Sequence, residues 1–138
     1  MADAASTPRV FATKPFLRFV RRFGIDDREL LHSVNGAYDA DLGSGVYKFR
    51  LARRREGASG GARAILAMRV GKRIVIMFGF EKKDMANIGN RDLQQFRKAA
   101  RVYLGYSEEE MTAIVRDGAL REIANPAAEK GERHGQSI

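Results

Sequence analysis

Between Val46 and Phe80 the sequence makes three apolar runs broken by turn residues, and this stretch restricts the fold more than any other. In VYKFRLAR (46–53), Tyr47, Phe49 and Leu51 alternate with Lys48 and Arg50, the period of two of a half-buried strand. In 62–70, Arg63 and Arg69 share a face with Ile65, while Leu66, Met68 and Val70 take the other. Gly71 and Lys72 make a tight turn into RIVIMFGF (73–80), which is apolar on both faces and is therefore expected between two layers. Strands this close in sequence pair as hairpins, because a parallel crossover needs about a dozen residues or more. An antiparallel meander follows.

The flanking segments are helical. RVFATK (9–14) reads as a short first strand, and Pro15 suits the first turn of a helix, where its missing N–H has no intrahelical partner to lose. Phe16, Phe19, Val20 and Phe23 then form one apolar stripe, and Gly24 is a natural terminator. Asp26 and Glu29 have the spacing of a capping box for a second helix with Leu30, Leu31, Val34 and Tyr38 on its apolar side. The short connection makes these two an antiparallel helical hairpin. A third helix is expected from about Asn90 to Leu104, facing inward with Leu93, Phe96, Ala100 and Tyr103. Ser107 and Glu110 cap a shorter one over 108–117. The fold class is therefore α+β: an antiparallel sheet in β-α-α-β-β-β order, a helical hairpin packed on one face, and C-terminal helices. Residues 1–123 read as a single domain, and 124–138, without periodicity, as a flexible tail.

Charge is unevenly placed along this frame. The chain carries +8 overall, yet the window from Ser44 to Lys83 holds eleven Lys and Arg against Glu56 and Glu81, a net +9. Many of those cations flank Glu56, Gly57, Ala58, Ser59, Gly60 and Gly61, which read as the loop at a hairpin tip. Concentrated positive charge is the footprint of a polyanion site. Other classes are excluded by composition. Cysteine is absent, and His32 and His134 are the only histidines, so neither a thiol nucleophile nor a histidine-built metal site is expected. The start, MADAASTP, has neither the basic residues nor the apolar run of a secretory signal, and no segment has the roughly 20 apolar residues that span a bilayer. A cytoplasmic protein without cofactor, metal or membrane partner is expected.

The order of elements, with VYKFRLAR, then GGARAILAMRVGKRIVIMFGFEKKDMANI, resembles the RelE/ParE superfamily of toxin–antitoxin toxins over roughly residues 9–104, and its RelE-like and HigB-like members most. The resemblance implies an mRNA endonuclease acting on the ribosome, silenced by a cognate antitoxin of helix-turn-helix type. It implies that Lys48 and Arg50 face the RNA from the second strand and that Arg63 grips a phosphate from the third. The exit of the fourth strand, where the family keeps an arginine and a tyrosine or histidine for proton transfer, here offers Glu81, Lys82, Lys83 and Asp84. No tyrosine or histidine lies between Tyr47 and Tyr103, so the resemblance leaves the acid and base unassigned.

Such chemistry uses the substrate's own 2′-OH against the adjacent phosphate. The protein orients the nucleotide, stabilises charge on the phosphoryl oxygens and moves two protons. Arginine, always charged and able to grip phosphate bidentately, suits the charge-stabilising task, which falls to Arg50 and Arg63. Lys48, crowded by like charge, is one candidate base; Glu81 is the other, with Lys82 as its acid partner. Arg53, Arg54, Arg55 and Lys83 are expected to contact the RNA backbone. The plain alternative for Lys48 and Arg50 is the solvated side of a strand, and for Glu81 a salt bridge. Two other functions fit the same sequence: a ParE-like toxin directed at DNA gyrase, and a non-catalytic RNA-binding protein or decayed toxin.

Overall fold

The computed structural model describes residues 8–53 and 57–123, with all their side chains except those of 52, 53, 57–60 and 85–87. The proposed tail, and Arg54 and Arg55, lie outside the described residues. The elements in chain order are β1 (Arg9–Thr13), α1 (Lys14–Phe23), α2 (Asp27–Val34), β2 (Ala40–Gly43), β3 (Val46–Arg53), β4 (Gly57–Arg69) and β5 (Arg73–Glu81). A 3₁₀ turn (Lys82–Asn87), α3 (Asn90–Gly105), α4 (Glu108–Arg116) and β6 (Leu120–Ile123) complete them.

Local signals account for the helix boundaries. The Thr13 hydroxyl accepts from the Phe16 N–H at 3.4 Å with Pro15 in the first turn, and Gly24 closes α1 in the left-handed region at φ 79°. Asp26 and Glu29 make the expected reciprocal capping box, as do Ser107 and Glu110. The second helix ends earlier than its apolar pattern suggests. Tyr38 lies beyond α2, half-exposed, with its ring 4.9 Å from that of Tyr47.

The six strands run in the order β2-β3-β4-β5-β1-β6. All neighbouring pairs are antiparallel except β1 and β5, which are parallel, with Arg9 opposite Arg73 and Ala12 opposite Ile76. β2 and β6 are too short to show an alternation in the sequence, and both sit at sheet edges. The meander is otherwise as expected, with one difference at its tip. β4 begins at Gly57, which pairs with Arg53, whereas the next pair is Leu51 with Ala62. Residues 58–61 thus bulge against a single residue of β3, so the glycine-rich segment is an irregular strand rather than the loop it resembles.

Both faces of the sheet are covered. α1 and α2 pack on Val10, Ala12, Phe49, Leu51, Leu66, Ile74 and Ile76. The C-terminal helices take the other face, against Phe11, Val46, Ile65, Ala67 and Val75. A second bulge lets β5 serve both layers: the register passes from Leu66–Ile76 to Ile65–Phe78, so Met77 is an extra residue. Phe78 and Phe80 therefore face the α3 side and Gly79 faces α1. Glycine is required there, since any side chain would overlap the ring of Phe19.

Candidate active site

The β3–β4 register fixes the centre of the site. Arg50 stands directly opposite Arg63, Lys48 opposite Ile65, and Arg63 is flanked on its other side by Phe80 of β5. Directly opposed residues of an antiparallel pair point to the same face, and so do residues two apart on one strand. Lys48, Arg50 and Arg63 therefore share the face that carries α3. That helix buries Val46 and Ile65 but leaves Arg50 exposed, so the basic end of the face opens to solvent beside the bulge. Two like charges directly opposed across a ladder are unfavourable in isolation. An anion placed between them removes that penalty.

Arg63 differs sharply from Arg50. Its side chain is only 5% exposed, a guanidinium N–H donates to the Ala62 carbonyl at 3.0 Å, and Nε lies 3.5 Å from Asp39 Oδ2. A buried guanidinium must be paired to be tolerated. The same oxygen of Asp39 lies 3.7 Å from Lys48 Nζ. Asp39 is held just ahead of β2, where its N–H donates to the Lys48 carbonyl at 2.7 Å. One carboxylate thus reaches two of the three cations. It went unseen in the sequence, where YDADLGSG reads only as a helix breaker; no spacing pattern ties Asp39 to Lys48 or Arg63, and only the β2–β3 edge does.

The remaining expected residues are dispersed. Glu81 pairs with Ala62, on the row next to Arg63–Phe80, so strand alternation turns it to the opposite face from Lys48 and Arg50. At the end of β5, between α1 and α3, it lines a cleft of about 510 Å³ with Phe19, Arg22, Asp84 and Phe96. Lys82 and Lys83 are exposed on the 3₁₀ turn that follows. The side chain of Arg53 lies outside the described residues, with Arg54 and Arg55. Glu81 is turned away from the arginine pair, whereas Lys82 follows it beside Gly61, two residues before Arg63 on β4.

Part of the basic window serves the fold. Arg69 donates to the Leu104 carbonyl at 2.8 Å, and Arg73, almost fully buried, donates to the Tyr103 and Tyr106 carbonyls at 2.8 Å and to Glu108 at 2.9 Å. These contacts satisfy carbonyls at the C-terminus of α3, where cations are also favoured by the helix dipole. Hydrogen bonds from Arg73 and then Arg9 hold the Glu108 carboxyl below the usual carboxylate range. The positive charge that a ligand could meet is accordingly smaller than the residue count.

Among the described residues, no group of three or more histidine, aspartate or glutamate side chains could hold a metal ion. Among the described residues, too, no helix is long and apolar enough to cross a membrane. The family model for the RelE toxin of the RelE/RelB toxin–antitoxin system matches residues 8–123. No curated protein matches the sequence.

Proposed function

Because the chain belongs to the RelE family of toxins from toxin–antitoxin systems, we propose that it is an endoribonuclease that cleaves messenger RNA on the ribosome and so stops translation. The observation that carries this reading is the cross-strand pair Arg50–Arg63 with Lys48 beside it on one face of the sheet, exposed at Arg50 and buried at Arg63. Asp39 offsets only part of the charge of the two facing arginines, and a phosphate bound at Arg50 would offset the rest, with its developing charge stabilised by the pair during attack by the adjacent 2′-OH. Arg50 and Arg63 grip the phosphate, and Lys48 handles a proton. Arg53, Arg54, Arg55 and Lys83 would add sequence-independent backbone contacts. A ParE-like attack on gyrase has no comparable use for convergent phosphate ligands.

The partner class follows from the same surface and family. A cognate antitoxin, in the cytoplasm, would silence the toxin by covering or neutralising the face of Lys48 and Arg50, in competition with RNA. Primer extension on messenger RNA from cells expressing the chain tests the reading. Discrete new 5′ ends that appear only with ribosome-engaged message support it, and intact message in growth-arrested cells overturns it.

A further inference from the structure

We propose that Asp39 is the general base of the reaction, taking the proton from the attacking 2′-OH; this rests on the ribonuclease reading above. The carboxylate is in the right place. Its Oδ2 lies 3.5 Å from Arg63 Nε and 3.7 Å from Lys48 Nζ, and Arg63 is the direct partner of Arg50. A phosphate held between Arg50 and Arg63 would carry its neighbouring ribose to the same mouth of the site. Other acids are worse placed: Glu81 turns to the opposite face of the sheet from Lys48 and Arg50, and Asp84 lines the cleft between α1 and α3.

The carboxylate is also accessible. Its side chain is 32% exposed, while that of Arg63 is 5% exposed and that of Lys48 19%. Both contacts are long for charge-assisted hydrogen bonds, whose usual length is about 2.7–2.9 Å. A carboxylate serving only to neutralise a buried guanidinium gains most by closing to that distance and leaving solvent. Asp39 instead keeps its solvent side open to an incoming hydroxyl. The charged groups that meet it are Lys48 on β3 and Arg63 on β4, with Arg50 opposite Arg63 and with Tyr38 and Asp41 as its titratable neighbours in the chain.

The step balances within the site. Asp39 accepts the 2′-OH proton as the 2′ oxygen forms a bond to phosphorus, and the bond from phosphorus to the 5′ oxygen breaks. A lysine, ordinarily an ammonium at neutral pH, can give its proton to that departing oxygen, which is the task of Lys48. The products are a 2′,3′-cyclic phosphate and a 5′-hydroxyl end, and solvent exchange returns both side chains to their starting states.

The test is single-turnover cleavage of message on programmed ribosomes by the full chain, from acid to neutral pH, for wild type, Asp39→Asn and Asp39→Glu, with circular dichroism to verify folding. Wild-type activity should fall on acidification as the carboxylate protonates. Asp39→Asn should be slower by about 10²-fold or more at neutral pH and lose that acid limb, and Asp39→Glu should retain the limb with a reduced rate. If Asp39→Asn cleaves as fast as wild type, or slows equally at every pH with the limb intact, the base assignment is overturned while the ribonuclease reading stands. A wild-type chain that leaves the message uncut overturns the ribonuclease reading, and the assignment with it.

Discussion

Arg73 of β5 and Glu108 of α4 meet at 2.9 Å, with the arginine almost fully buried and the glutamate at the surface. The same guanidinium also holds the last carbonyls of α3, so one side chain ties two helices to the sheet. Glu108 is held below the usual carboxylate range by this bond and by Arg9. A group whose folded value is depressed stabilises above its unfolded value and loses that contribution as pH falls through the folded one. Glu108→Gln should therefore lower the melting temperature near pH 7, by the equivalent of about 1 kcal/mol given the exposure of the carboxylate. Thermal melts at neutral and strongly acidic pH should show the gap closing as pH falls. A gap that stays constant contradicts the ion pair as its source.

Phe49 and Arg50 are neighbours on β3 with opposite duties. Phe49 is fully buried under the helical hairpin, and Phe49→Ala should cost about 3–5 kcal/mol in chemical denaturation. Arg50→Ala, on the exposed side, should stay within about 0.5 kcal/mol of wild type. Equal losses in the two variants contradict the strand facing.

Removing Arg50 should leave the fold intact and slow single-turnover RNA cleavage by about 10²–10³-fold, the usual cost of losing one donor to developing charge. Arg63→Ala should slow cleavage similarly but also destabilise, because it strips a buried partner from Asp39. Full activity in the double variant eliminates the phosphate site.

RNA binding should weaken steeply as salt rises, since counterion release dominates affinity for polyanions. Titrations between about 50 and 200 mM salt are the measurement, over the range in which a protein with several phosphate contacts loses orders of magnitude. Flat affinity means that the basic face is not the contact surface.

Gly79→Ala should destabilise by about 1–3 kcal/mol, because the new methyl group meets the Phe19 ring and α1 must shift away from β5. Unchanged stability in denaturant titrations contradicts that close approach.

Alternation and capping made most of the frame legible. Phe49 and Leu51 are inward and Arg50 outward because a strand offers only two faces, and β5, apolar on both, had to lie between layers. Asp26 and Ser107 announced their helices because unsatisfied N–H groups at a helix start need a local acceptor, which is a short-range requirement. Membership of the RelE toxin family was likewise visible in the order of elements and the basic strand.

What the tertiary structure decided was who stands beside whom. Glu81 read as the alternative base to Lys48, yet β5's bulge and its pairing with Ala62 turn it to the other face, and a shift of one residue in such a strand reverses every side chain. Arg69 and Arg73 counted as ligand-binding charge until the C-terminus of α3 claimed them. Asp39 had no signature at all. Its place beside Lys48 and Arg63 depends on where β2 meets β3 and on the register of β3 with β4, and those distances are set by hydrogen-bonded pairing between strands rather than by any property of the local chain.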